Sequence, residues 1–395
     1  MRVAILYDCL YPHTVGGAER WYRNLAERLA VHNEVSYITR RQWDRNETPD
    51  TPPGVQVIVV SGGRDLYTAS GRRNISTPLR FGWGIFWHLL RHRQRYDVIH
   101  TCGFPYFSVI AARLACLAGG PPVVTDWFEI WSRRYWIDYL GPVSGRLGAS
   151  VQRLCIRLTE RAFVLSAMHA ERLLQEGYRG QPVAMNGIYA GPTVSLESPA
   201  TREPLVVYVG RHFPHKRVAA IPAAIAMARQ RVPGLRAVVF GDGPDRARVL
   251  REVERLGLTE VVTCPGFAPW PEVDKALRRA TCLLLPSARE GYGLVIVEAA
   301  ARGTPAIVTQ GPDTAATELI REGQNGLVAR GADPEDLAAA VVAVHAAGAD
   351  LVARTRAWFA ENAKRLTIDA SVAQVEAVYS EISNAAAAHS RQYAA

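Results

Sequence analysis

Short apolar runs alternate with amphipathic stretches along this chain, and the alternation runs through it twice. Runs of Val, Ile and Leu at 2–7, 34–40, 55–61, 97–102, 122–126, 162–166 and 182–186 read as buried strands. Helical patterns at 17–31, 79–94, 105–118, 146–160 and 168–176 separate them. Strand patterns resume at 205–210, 236–241, 261–265, 281–286 and 305–309. Continuous rather than alternating hydrophobicity marks strands covered on both faces, so the expected fold class is α/β with doubly wound parallel sheets. A chain of 395 residues is too long for one ordinary core. The breaker-rich segment 191–204 is the expected linker between domains at 1–190 and 205–366. Asp333 and Pro334 mark a helix start, as N-cap and first helical residue.

In such folds ligands bind at the carboxyl ends of strands. The run Thr281–Ser287 leads there to Glu290-Gly291-Tyr292-Gly293-Leu294 and on to Glu298. Glu290 is expected in the loop between strand and helix, with Glu298 about one turn into the helix. Gly291 and Gly293 leave backbone N–H groups bare at a helix start, which suits phosphate. Two carboxylates flanking an anion site fit a ligand with phosphate at its centre and hydroxyls at its ends, the shape of a nucleotide sugar. A solvated loop and a helix surface would also carry glutamates. However, Glu298 has apolar neighbours from Val295 to Ala301, which argues for burial and hence for hydrogen-bonding partners.

The strand pattern ending at Gly210 runs into Arg211-His-Phe-Pro-His-Lys216. Arg supplies a bidentate fork and Lys a compact charge, and both suit a diphosphate, although a solvated basic turn has the same composition. Only three of the 46 basic residues are lysines, so Lys216 is a selective choice.

Together these residues resemble the retaining glycosyltransferases of family 4, related to glycogen synthase, which have the two-domain GT-B fold. The resemblance covers nearly the whole chain: Gly16-Gly17-Ala-Glu19-Arg after the first strand, Asn186-Gly187-Ile where the first domain ends, Gly210-Arg211 with Lys216, Gly241-Asp-Gly243, Gly266-Phe267, and the block Glu290 to Glu298. It implies two Rossmann-like domains facing a central cleft, with a last helix at 367–385 returning to the first domain. It also implies transfer of a hexose-type sugar from a nucleoside diphosphate, UDP or GDP, with the leaving phosphate accepting the proton. Arg211, Lys216 and Glu290 take the catalytic positions. Gly16, Gly17, Gly241, Gly266, Gly291, Tyr292, Gly293, Leu294 and Glu298 take donor positions. No cofactor or metal is expected. Rivals on the same fold are a phosphorylase, a nucleotide-sugar epimerase and a binding protein with a dead site. Many relatives carry His-Asp after the fifth strand. Here Thr125-Asp126-Trp127 stands instead, without the histidine.

Asp126, Trp127, Glu129, Trp131 and Arg134 begin at the end of the strand 122–126 and are candidates for binding the acceptor, a natural product, polyol or lipid-linked glycan. The same aromatics also suit ordinary packing under a helical lid. Residues 71–96 carry six arginines and no acids, interleaved with Phe81, Trp83, Phe86 and Trp87. Such a segment can lie on anionic lipid, or can pack its rings on a sheet while its arginines face water. A dinucleotide-binding domain is disfavoured, because no Gly-x-Gly-x-x-Gly turn follows a strand. The net charge of +9 is spread along the chain without a nucleic-acid motif, so no nucleic-acid partner is expected. No stretch approaches the ~18 apolar residues of a membrane span. The chain enters a strand at once without a signal-peptide pattern, and its scattered cysteines read as buried thiols. A cytoplasmic protein is expected, with peripheral membrane contact through 71–96.

Overall fold

The computed structural model describes residues 1–44, 46–63, 74–117, 119–193 and 202–392. Most of the expected linker, 194–201, and Arg72 and Arg73 of the basic segment lie outside the described residues. The chain forms two compact units, Met1–Ala190 with Ile368–Ala395, and Gly191–Thr367.

The first unit holds a parallel sheet of β1 (Arg2–Leu6), β2 (Glu34–Arg40), β3 (Val55–Ser61), β4 (Val98–Cys102), β5 (Val123–Trp127), β6 (Arg161–Val164) and β7 (Val183–Ala184), in the order β3-β2-β1-β4-β5-β6-β7. Its helices are α1 (Gly17–Leu29), α2 (Ser76–His92), α3 (Phe107–Cys116), α4 (Arg133–Leu140), α5 (Pro142–Leu158) and α6 (Ala167–Gln175). Strands β4 and β5 are buried at every residue, the polar His100, Thr101, Thr125 and Asp126 included. Phe81, Ile85 and Leu89 of α2 recur every fourth residue and join Ala111, Ala112 and Ala115 of α3 in the core against β1, β2 and β4. Gly82 and Gly84 bring α2 close: a Cβ would stand 2.8 Å from Phe107 Cβ at the first and 2.3 Å from the Val60 carbonyl oxygen at the second.

The second unit holds β8 (Glu203–Val209), β9 (Arg236–Phe240), β10 (Val262–Gly266), β11 (Ala280–Leu285), β12 (Arg289–Glu290), β13 (Ala306–Thr309), β14 (Asp313–Thr314) and β15 (Gly326–Ala329). Six of them form a second parallel sheet, β10-β9-β8-β11-β13-β15, and β12 pairs with β14 apart from it. Helices α7 (Ile221–Ala228), α8 (Arg246–Arg255), α9 (Trp270–Arg279), α10 (Leu294–Ala300) and α11 (Pro334–Leu366) belong to this unit. The last helix, α12 (Ile368–Gln392), belongs to the first. There Arg28 pairs with Asp369, the Ser371 hydroxyl donates to the Gly187 carbonyl at 2.5 Å, and Tyr379 is buried against His100.

Several boundaries differ from expectation, most of them at prolines. α2 starts at Ser76 and α5 at Pro142, because a proline in the first turn forfeits no helical hydrogen bond. β8 begins at Glu203, inside the expected linker, with Pro204 as its second residue. The helical lid considered for the aromatic run is α4, and Gly141 at φ 86° separates it from α5. Asp333 occupies the N-cap of α11 but makes no side-chain cap hydrogen bond. Contrary to the expectation that no apolar stretch could span a bilayer, α11 is long and apolar enough by length and composition. It is nevertheless broken at Gly348 (φ 50°, ψ −135°), and Leu337, Val341, Val344 and Phe359 are buried in its own unit.

Candidate functional site

In the second sheet the strand order reverses between β8 and β11, and the crevice outside the carboxyl ends of such a pair is where open α/β sheets bind ligands. Both expected charges are there. Lys216 follows β8 and Glu290 follows β11, and Lys216 Nζ donates to Glu290 Oε2 at 2.7 Å. Each side chain is 18% exposed, so the pair is shielded yet reachable. Ser287 Oγ donates to the same carboxylate oxygen at 3.3 Å, and Lys216 Nζ also reaches the Arg289 carbonyl at 3.4 Å. Hydrogen bonds to backbone carbonyls tie the loops: Ala288 N donates to that of His215 and the Thr309 hydroxyl to that of Ser287. Glu290 therefore sits in a two-residue strand paired in register with Thr314, rather than in a free loop. Arg211 is exposed, with its guanidinium carbon 5.2 Å from the centre of the Phe213 ring.

Gly293 adopts φ 91° and ψ 51° at the N-cap of α10, a left-handed conformation that favours glycine, so the chain turns sharply from Tyr292 into Leu294. Glu298 lies within this helix at 4% exposure, as its apolar neighbours suggested. Tyr292 is buried, which raises its phenol pKa, and burial with a lesser contribution from the Glu290 charge does the same to Tyr208. Gly241 is explained by packing: a Cβ there would fall 1.9 Å from the Gly210 carbonyl oxygen. Gly266 at φ 84° accepts a hydrogen bond from Gly241 N at 2.7 Å, so the two glycines hold each other. Sequence reading missed Ser287, Arg289 and His215. The first is three residues before Glu290, and the Arg289 guanidinium lies 3.4 Å from His215 Nε2.

In the first unit Gly16 is the N-cap of α1, and Glu19 turns back over it: a Cβ on Gly16 would meet Glu19 Oε2 at 2.3 Å. A Cβ on Gly17 would meet nothing within 4 Å. The expected acceptor residues divide. Asp126 is fully buried, and it accepts from the Trp21 indole at 2.8 Å and lies 2.8 Å from His100 Nε2. Its partner histidine thus comes from the neighbouring strand β4, and the other ring nitrogen lies 2.7 Å from the Tyr379 hydroxyl. Trp127 is 1% exposed, bonded to Thr159 and packed on Gly103. Both side chains lie in the core of the first unit. Trp131 is 8% exposed and packs with Trp136, Tyr135 and Phe104. Its indole donates to Glu129 Oε2 at 2.9 Å. Arg134 is almost entirely exposed. Among the described residues no three His, Cys, Asp or Glu side chains form a metal-binding group.

Comparison with known proteins assigns both halves of the chain. Residues 16–187 match a glycosyl transferase 4-like domain and residues 197–365 match glycosyl transferases group 1. Over 393 residues the chain is 26% identical to D-inositol 3-phosphate glycosyltransferase of Streptomyces scabiei, spanning 92% of this chain and 86% of that protein. A 182-residue stretch is 33% identical to an exopolysaccharide phosphotransferase of Streptomyces coelicolor, covering 45% of this chain but only 18% of that protein. Sucrose-phosphate synthase from Thermosynechococcus elongatus superposes with a TM-score of 0.80 at 20% identity, over 97% of this chain and 99% of that one. HepE of Anabaena, solved in complex with UDP, superposes at 0.74 and 17% identity, over 96% of this chain and 100% of that one. The chain belongs to the glycosyltransferases that join a 4-like domain to a group 1 domain on the GT-B fold.

Proposed function

We propose that the enzyme transfers a hexose-type sugar from a nucleoside diphosphate to a hydroxyl acceptor with retention of the anomeric configuration and without a metal ion. The observation that carries this reading is the shielded Lys216–Glu290 pair at the β8/β11 switch point, beside the start of α10. In this reading the Lys216 ammonium, with Arg211 and the N–H groups at Gly293 and Leu294, neutralises the leaving diphosphate. Glu290 accepts from the sugar hydroxyls and Glu298 from the ribose. A UDP complex of a protein with the same fold supports a nucleoside diphosphate donor. Glu129 and Arg134 remain reachable for an acceptor in the first unit. Six free cysteines agree with a cytoplasmic setting.

The test is transfer from a panel of UDP and GDP sugars to polyol, glycan and aglycone acceptors, with and without a chelator, and with the product anomer read by NMR. Transfer that keeps the donor's configuration and is unaffected by chelator is expected. An inverted product or an absolute need for a divalent cation would refute those parts of the reading, and failure of every nucleotide to bind would refute the whole.

A further inference from the structure

We propose that the outer face of helices α2, α3 and α5 docks the protein on an anionic lipid surface. α2 packs against α3, and α3 against α5. Right-handed crossovers put all three on one side of the first sheet. Their inner sides are core, yet their outer sides are apolar as well. On α2, Leu79, Trp83, Trp87 and Leu90 are 47%, 65%, 37% and 42% exposed. Leu114 and Leu117 at the end of α3 are exposed, as are Val143, Leu147 and Leu154 on α5. In the second unit large apolar side chains of comparable exposure among the described residues are Leu250, Phe267 and Trp270 alone. An apolar surface gathered on neighbouring helices marks an interaction site, whereas scattered single residues do not.

Charge selects the occupant. The three helices contain Arg80, Arg91, Arg113, Arg146, Arg153 and Arg157 and no aspartate or glutamate. Arg113 and Arg153 are paired with Glu160 and Glu176, while Arg80, Arg91, Arg146 and Arg157 are exposed. Two copies meeting through this face would oppose like charges, whereas a sheet of lipid phosphates complements them. Trp83 and Trp87 are 5.6 Å apart edge to face, with the Arg91 guanidinium 4.9 Å from the Trp87 ring centre. A ring that is apolar in body and polar at one edge, with a cation beside it, suits the headgroup boundary. The face therefore extends well beyond the basic segment 71–96, because α5 supplies a second apolar stripe and further arginines.

Co-sedimentation of the full chain with phosphatidylcholine vesicles, and with vesicles containing phosphatidylglycerol, tests this without an activity assay. Binding to the anionic vesicles alone is expected, weakened by salt. Arg80→Gln and Arg146→Gln should each weaken it about fivefold. Trp83→Glu with Leu147→Glu should abolish it while leaving the circular dichroism and melting temperature unchanged. Absence of binding, equal binding to both vesicles, or binding indifferent to the double variant overturns the proposal. So does a wild-type dimer that Trp83→Glu converts to monomer without any lipid binding, which would make the face an interface between copies.

Discussion

Lys216 and Glu290 are 74 residues apart in the chain and 2.7 Å apart in the fold, joined where the second sheet reverses its strand order. The two opposite charges form a shielded ion pair. On the proposed function, Lys216→Ala would leave the Glu290 carboxylate facing the diphosphate uncompensated. Affinity for UDP or GDP should fall about tenfold or more, with little change for the nucleoside. Adding Glu290→Gln to that variant should recover part of the loss, and titration calorimetry on the four proteins of the cycle measures the coupling. Additive losses would show that the two residues act independently.

Glu290→Gln alone should cut transfer by about a hundredfold while nucleotide affinity stays near normal. The amide keeps the shape and gives up the charge. Steady-state kinetics beside calorimetry separate the two quantities, and equal losses in both would place Glu290 on the nucleotide instead of the sugar.

Trp127→Ala should destabilise the first unit by about 3–5 kcal/mol, since it empties a core site at 1% exposure. Glu129→Gln should instead leave the melting temperature unchanged and raise the Michaelis constant for acceptor more than for donor. Thermal melts and kinetics on the two variants together distinguish packing from recognition within one aromatic segment.

Asp126→Ala would leave the Trp21 indole buried without its acceptor and remove the carboxylate beside His100. A loss of about 1–3 kcal/mol is expected, as when a buried donor is left without its acceptor. Chemical denaturation measures it. A near-neutral variant would mean that water replaces the carboxylate.

His88 provides a pH prediction. Burial, with smaller effects from His92 and Arg95, lowers its pKa to about 4, and its Nε2 lies 2.8 Å from the Tyr96 hydroxyl. The folded value lies below the unfolded one of about 6.5, so the unfolded chain binds the proton first. This contribution is fully present above about pH 6.5 and is lost as pH falls toward 4. His88→Gln should flatten the stability profile in that window relative to wild type, as read by urea midpoints.

The parallel strands were legible from their Val, Ile and Leu content, and even the edge strand β3, which has no buried residue, lies where its apolar run lies. That Lys216 and Glu290 share one sheet edge follows from their places after two such runs. That they touch does not, because the contact depends on Arg289–Glu290 pairing with Asp313–Thr314, two short segments without strand composition. The end of the strand 122–126 does not reveal that Asp126 is buried. Trp21 from α1, His100 from β4 and Tyr379 from α12 close over it, and contacts that distant in sequence leave no local pattern. The aromatic run 127–139 was ambiguous for a related reason: its rings pack on one another, and α4 is held at Gly141 by a backbone turn that hydrophobic spacing does not register.

The return of α12 to the first unit sets an order on biosynthesis. The second unit is one continuous stretch, Gly191–Thr367, and has all its strands once that stretch has left the ribosome. The first unit begins earlier but finishes later: until Ile368 and the residues after it have been made, His100 lacks Tyr379, Gly187 lacks Ser371 and Arg28 lacks Asp369. The half of the enzyme that is translated first is therefore the half that completes its packing last, and during that interval α1 presents to its surroundings the side that α12 will cover.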